Sequence, residues 1–291
     1  MMAPAEPCRP VVVGVDGSSS ARRALAWAVD EAARRHVALR LVHTSTVPTG
    51  GYRDEVGERV LKDAVTFARA RQPQVQLTSL LTGGNPAFAL EEEARDAAVV
   101  VLGSYHLSWV QEMFSPASVV LPLMAHARCP VVVVPEVEDI TGQTRCLVVG
   151  IDGSTRSAAA ADVAFEEAAL HGAALRALYV RQPHRFDIQD ESTVDQECRS
   201  LLAETVASRT ASWPKVEVHQ EVAIGHPVEE LTKASVHALG LVVGTRGHGG
   251  FTGMLLGSVS QGVLHYASCP VIAVPLPRHP VPEQGHTPAA R

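Results

Sequence analysis

The sequence predicts an α/β protein made of two tandem copies of one open, parallel-sheet unit, and three observations carry that expectation. The stretch Val11-Val12-Val13-Gly14-Val15-Asp16-Gly17-Ser18 recurs as Leu147-Val148-Val149-Gly150-Ile151-Asp152-Gly153-Ser154, and Cys129-Pro130-Val131-Val132-Val133-Val134-Pro135 recurs as Cys269-Pro270-Val271-Ile272-Ala273-Val274-Pro275. Similarity that recurs in the same order at nearly the same offset, 136 and then 140 residues, marks a duplicated unit. Within each copy, short apolar runs alternate with segments of helical periodicity, which implies right-handed crossovers and helices on both faces of a parallel sheet. The third observation is a glycine-rich bend in the second copy, Gly244-Thr245-Arg246-Gly247-His248-Gly249-Gly250-Phe251, continuing through Gly253 to Gly257-Ser258-Val259-Ser260. It joins the apolar run Leu241-Val242-Val243 to a helical segment over Val259 to Ala267.

In the first copy a strand ends at Asp16, and Ala21, Ala24, Leu25, Ala28, Val29 and Ala32 then recur at helical spacing. Leu39 to His43 reads as the second strand, and a polar connection leads to a helix over Glu55 to Arg71. Strand Val75 to Leu81, helix Ala87 to Asp96, strand Val99 to Leu102 and helix Ser118 to Ala127 follow, and Val131 to Val134 closes the copy. The second copy repeats this order, with a longer middle connection from Arg181 to Asp190 whose start, Pro183-His184-Arg185, reads as an exposed loop. Polar Glu136 to Thr144, with Gly142, reads as the linker. The expected domains are residues 9–136 and 145–276, and the Pro-rich tail, 277–291, is expected to be disordered.

Composition narrows the function classes. A chain of 291 residues accommodates two domains of ordinary size. Aromatics make up only 4%, so aliphatic side chains must fill the interior. A net charge of −6 and the lack of a basic run argue against nucleic acid as a partner. Met1 to Pro10 carries Glu6 and lacks the charged start and apolar stretch of a secretory signal, and no apolar span reaches membrane length. A cytoplasmic location without membrane association is expected. Cys8, Cys129, Cys146, Cys198 and Cys269 fall singly, which points to neither a disulfide framework nor a zinc site. The 13 histidines include no H-E-x-x-H, so no metal site is expected. The Ala-, Val- and Arg-rich usage suggests a GC-rich bacterial genome.

The bend suits an anion. Glycines let backbone N–H groups converge, and the following helix adds free N–H groups and the positive end of its dipole. Gly257, Ser258 and Ser260 stand where that helix should start, offering backbone donors and hydroxyls. The spacing from Gly244 through Gly247 to Gly257-Ser258 is G-x2-G-x9-G-[S/T], and in this respect the second copy resembles the ATP-binding motif of the universal stress protein family. The resemblance covers almost the whole chain, twice over, as in a tandem, actinobacterial member. It implies two Rossmann-like domains of the adenine nucleotide alpha hydrolase type, each with five parallel strands in order 3-2-1-4-5. In that order strands 1 and 4 flank the crevice where open sheets bind ligands. It also implies ATP with Mg2+ as ligand, held by Asp152, Gly153, Val180, Gly244, Arg246, Gly247, Gly249, Gly257, Ser258, Val259 and Ser260. The end of strand 2, Leu178-Tyr179-Val180, is implied as the apolar wall for adenine. Read from sequence alone, Asp152 serves equally as a cap for the following helix, Leu178 as core, and Arg246 as a solvated loop charge. No G-x-x-x-x-G-K-[S/T] is present, so backbone N–H groups, serine hydroxyls, the helix dipole and a phosphate-bound divalent ion must meet the triphosphate charge. A positioned base and transferring-group cations are not evident, His248 being the one acid–base candidate. No catalytic residue is assigned, and at most weak ATPase activity is expected.

The first copy lacks the motif. Counting from Gly103 puts His106 at the second glycine and Pro116-Ala117 at the closing pair; counting from Cys129 puts Ala117-Ser118 there. Trp109, Met113 and Phe114 occupy a region that is glycine-rich in the other copy, and Pro116 has no N–H to give. Asp16, Gly103 and Ser118 define a weak candidate site, and one nucleotide per chain is expected. In the resembled family the last strands of two domains pair about a two-fold axis, which implies an intramolecular pseudo-dimer and allows a homodimer. The leading expectation is a nucleotide-dependent regulator or sensor of the stress response with unidentified protein partners. Two other classes stand beside it: an adenylating enzyme related to ATP pyrophosphatases, echoed faintly by Val15-Asp16-Gly17-Ser18-Ser19-Ser20, and a structural interaction module with a vestigial pocket.

Overall fold

Ten strands lie side by side in one sheet in the order β3-β2-β1-β4-β5-β10-β9-β6-β7-β8. The first repeat runs β1 (Val11–Gly14), α1 (Ser19–Arg35), β2 (Leu39–Ser45), α2 (Glu55–Arg71), β3 (Leu77–Gly83), α3 (Pro86–Glu93), β4 (Val99–Gly103), α4 (Val120–His126) and β5 (Val131–Val134). The second runs β6 (Cys146–Ile151), α5 (Thr155–His171), β7 (Ala174–Arg181), α6 (Glu191–Ser212), β8 (Val218–Ile224), α7 (Pro227–Ala234), β9 (Gly240–Gly244), α8 (Ser258–Tyr266) and β10 (Val271–Val274). The computed structural model describes residues 9–45, 54–104, 119–136, 145–182, 191–247 and 256–276. The expected linker (137–144), the loop beginning at Pro183 and the tail from 277 lie outside the described residues.

Each repeat has the expected order 3-2-1-4-5, with parallel pairing throughout. As the implied pairing of the last strands within the chain requires, the two units form one sheet, with β5 and β10 antiparallel and Val132 opposite Ile272. Both are short, apolar, fully buried runs, and an unpaired edge of that kind would leave a row of backbone groups without partners. Each copy therefore covers the other's last strand.

Buried side chains on both faces explain why the central strands read as continuous apolar runs rather than alternating ones. One face carries a single core shared by the two repeats, in which Val11, Leu39 and Leu41 join Val132, Val134, Leu147, Phe165, Leu175 and Ile272. The other face carries two clusters. One gathers Val12, Val100, Leu123, Met124 and Val133 from the first repeat with Leu256 and Ala273 from the second, and the other gathers Val148, Leu178, Leu231, Leu241 and Val243.

The long helices start where the repeated Asp-Gly-Ser ends. Ser18 caps α1 by accepting the Ala21 N–H at 3.1 Å, and Ser154 caps α5 by accepting that of Ser157 at 3.1 Å. Such caps contribute about 1 kcal/mol each. Several boundaries differ from the sequence expectation: β2 runs on to Ser45, β3 is shifted to Leu77–Gly83, α3 is Pro86–Glu93 and β4 extends to Gly103. β1 stops at Gly14, two residues before Asp16, and α4 begins at Val120 rather than Ser118. Arg181 is the last residue of β7, buried and paired with Ile224, rather than the first of a loop; an arginine in a strand breaks the apolar pattern that marked the run.

Candidate functional site

The order of strands brings together segments far apart in the chain. β6 and β9 are parallel neighbours, with Val149 opposite Val242, so the residues following both strands emerge at the same edge of the sheet. Asp152 leaves β6 and turns back on itself, its Oδ1 accepting the Ser154 N–H at 3.0 Å. Its other oxygen faces the bend after β9: a Cβ placed on Gly247 would lie 2.3 Å from Asp152 Oδ2. Only glycine allows that approach. Gly153, between Asp152 and Ser154, has φ of 80°, a conformation that side chains resist.

Gly244 serves a different purpose. A Cβ there would meet the carbonyl carbon and oxygen of Arg156, in the first turn of α5, at 3.0 Å. The glycine therefore lets the start of α5 close over the end of β9. In the first repeat Gly103 does the same for α1, more tightly, with the Ser20 carbonyl carbon 2.4 Å from the added atom. These two glycines are explained by helix packing whether or not a ligand binds.

The start of α8 is tied to the strand it follows. Gly257 is the N-cap, with φ of −73° and ψ of 150°, and its N–H donates to the Thr245 carbonyl at 2.9 Å. The Ser260 hydroxyl donates to the Gly244 carbonyl at 2.6 Å. Because that hydroxyl is buried and its proton committed, Ser260 has only lone pairs left, a narrower role than donation to a ligand. The N–H groups of Ser258, Val259 and Ser260 occupy the first turn, where no intrahelical acceptor exists. Ser258 itself is exposed, and Arg246 is half-buried just before the bend. Gly249 and His248 lie outside the described residues.

Neighbouring strand β7 supplies two different walls. Val180 packs with Leu178, Leu231 and Val243 on the side of α7, where Val259 of α8 also reaches. Tyr179 faces the opposite side, against Leu201 and Val222. Burial, the Cys198 thiol and the Asp152 carboxylate together push the Tyr179 phenol up, so it remains a neutral hydrogen-bonding group beside Asp152. The sequence marks Tyr179 only as part of an apolar wall, and Cys198, a single cysteine on a helix, carries no spacing pattern that would single it out. At the strand's end Arg181 Nε lies 3.4 Å from Asp195 Oδ1.

The first repeat retains half of this arrangement. Asp16 Oδ1 accepts the Ser18 N–H at 2.9 Å, and Gly17 has φ of 85°. Its counterpart of α8 is shorter, starting at Val120 after Val119, whose backbone is already helical and whose side chain makes no cap. Ser118 lies outside the described residues, and no donor set is described beside Gly103.

The model of the universal stress protein family matches residues 7–135 and again 144–275. The universal stress protein Rv2005c of Mycobacterium tuberculosis is 34% identical over 286 residues, spanning 90% of this chain and 95% of its own. Rv2623 of the same organism is 31% identical over 287 residues, with the same coverage. Among solved structures, a universal stress protein from Archaeoglobus fulgidus superposes with a TM-score of 0.71 at 16% identity, covering 92% of this chain and 96% of that one. A functionally unknown protein, PA1789 of Pseudomonas aeruginosa, gives 0.66 at 16% identity, with 93% of each chain covered. At such identity these structures speak to the fold. Among the described residues no helix is long and apolar enough to cross a membrane.

Proposed function

The chain belongs to the universal stress protein family, and from that premise we propose that its second repeat binds ATP and serves as a nucleotide-dependent regulator of the stress response. The observation that carries this reading is the approach of Asp152 Oδ2 to the backbone of Gly247, which makes one crevice of two motifs almost a hundred residues apart. Asp152 and Val180 hold the nucleoside end, the carboxylate taking hydroxyl donors and the valine side packing on the base. The triphosphate lies along Gly247, Gly249 and Gly257 to the first-turn N–H groups of Ser258, Val259 and Ser260, with the exposed Ser258 hydroxyl and Arg246 beside it.

The donor set fits an anion: backbone N–H groups without internal acceptors and a helix dipole contribute favourable charge at low entropic cost. Mg2+ fits as a passenger on the phosphates, since no carboxylate is described at the start of α8. Gly244 and Gly153 support the crevice by letting helices close on it. With no base placed for an attacking water among the described residues, hydrolysis is slow at most, and the nucleotide is retained rather than turned over. Occupancy shifts the surface offered to protein partners, in a cytoplasmic protein that can also form a homodimer.

The test is the nucleotide content of purified protein. Denaturation should release ATP at one equivalent per chain, and stripped protein should gain thermal stability with ATP and Mg2+, because a ligand held only by the native state raises its stability. Two equivalents would show that Asp16 and Gly103 belong to a working site. No release and no stabilisation at millimolar ATP would leave the fold as an interaction module, and pyrophosphate production would indicate an adenylating enzyme.

A further inference from the structure

Where α1 and α5 meet, the two repeats bury a cluster of charge. The duplication places Glu31 of α1 in the position of Glu167 of α5, and Arg35 in that of His171. Glu31 is wholly buried and Glu167 nearly so. Arg35 of the first repeat donates through Nε to Glu31 Oε1 at 2.6 Å, and through its other nitrogens to Glu167 Oε1 and, at 3.0 Å, to Glu166 Oε1. His171 reaches back across the junction, with Nε2 at 3.1 Å from Glu31 Oε2 and 3.6 Å from Glu167 Oε2. Arg34 completes the set, 3.0 Å from Glu31 Oε2. The two repeats thus exchange cations: one sends a permanent charge and the other a titratable one.

We propose that His171, in its protonated form, is the bridging cation that locks α5 of the second repeat onto Glu31 of the first, so that the contact between repeats tightens at mildly acidic pH and loosens as pH rises. Charge balance supports this. The buried carboxylates Glu31 and Glu167 share one buried guanidinium, Arg35, while Arg34 and Glu166 stand at the more exposed rim, leaving one buried negative charge that a proton on His171 neutralises. Glu167 Oε2 is buried without a hydrogen bond among the described residues, and a charged imidazole beside it is the nearest relief. A divalent ion fits poorly, because two guanidinium groups already hold these carboxylates and a second positive charge would be left over.

The titration has the required sign. Burial alone would lower His171, but the Glu167 and Glu31 carboxylates beside it outweigh burial and the opposing Arg34, and hold the imidazolium above its ordinary range. Stability from a raised histidine is complete below its unfolded value and is lost as pH rises through the folded one. On the acid side, burial would raise Glu31, yet His171 and Arg35 bring it down to about 2, so its contribution is present above its unfolded value and fails as pH falls towards that level. Burial pushes Glu167 upward. A raised carboxyl favours the acid side, so the junction is firmest between these limits, at mildly acidic pH.

Comparison of wild type with His171→Arg and His171→Gln tests this. Thermal midpoints measured from pH 6 to 8.5 should fall more in wild type than in His171→Arg, by on the order of a few degrees in a chain of this size. The glutamine variant should be lower at pH 6 and equally flat. In wild type, the imidazole resonance missing from the glutamine variant should titrate above about 6.5. Hydrogen exchange in the last turns of α1 and α5, corrected for intrinsic rates, should quicken at high pH in wild type but not in the arginine variant. An imidazole titrating at or below about 6.5, or equal slopes in wild type and His171→Arg, overturns the proposal. So does a Zn2+-dependent rise in the wild-type thermal midpoint that is lost in the glutamine variant, which would make the cluster a metal site.

Discussion

Alanine at Gly247 separates ligand recognition from folding. The added Cβ would stand 2.3 Å from Asp152 Oδ2, where ordinary contact begins at 3.4 Å, so the carboxylate must withdraw by roughly an ångström. Gly247 is exposed and Asp152 only half-buried, so the side chain has room to swing. The fold then loses the bond from Ser154 N–H to Asp152 Oδ1, a net cost of about 0.5–1.5 kcal/mol. Binding loses more. A hydrogen bond from ligand to a charged carboxylate contributes about 1.5–3 kcal/mol, which corresponds to ATP binding roughly 10- to 150-fold weaker. Calorimetric titration of nucleotide-free protein measures the affinity, and urea unfolding without ligand measures the fold. Asp152→Ala should show a similar loss, and the double variant should lose little more, because both changes remove one contact. A Kd within twofold of wild type, or a loss of unliganded stability as large as the loss of binding, would refute the geometry.

Three further expectations follow from neighbouring residues. Gly103→Ala drives a methyl into the Ser20 backbone of α1, which cannot yield as a side-chain end does; it should destabilise by about 1–3 kcal/mol in urea while ATP affinity stays at the wild-type value. Ser260→Ala removes the 2.6 Å bond to the Gly244 carbonyl and leaves that acceptor unpaired, costing about 1–3 kcal/mol of stability and weakening ATP binding as α8 shifts; unchanged values in both measurements would contradict the assigned tie. Burial pushes the thiols of Cys129 and Cys269 up to about 12 and about 11, so at pH 8 mass spectrometry should find both unalkylated by iodoacetamide in native protein and both modified after unfolding.

The sequence alone determined most of the architecture, because its signals are periodic and local. The recurrence of Asp16-Gly17-Ser18 as Asp152-Gly153-Ser154 reveals two units, and the pattern places α2 and β5 with their observed limits, since a helical stripe and a run of valines each depend on nearby residues alone. It also shows that the glycine spacing of the second bend is absent from the first. Tertiary structure decided what depends on contacts between distant residues. Antiparallel pairing of β5 with β10 turned two sheets into one, and the proximity of Asp152 to Gly247 turned two motifs into one crevice. Packing also explained why Gly103 persists in the copy without the motif: α1 needs the space, whatever happens to the ligand. Glu31 and His171 look like ordinary polar residues in a helical pattern. Their importance arises only when the two repeats meet, because burial, which no local pattern records, makes an ordinary charge depend on its partners.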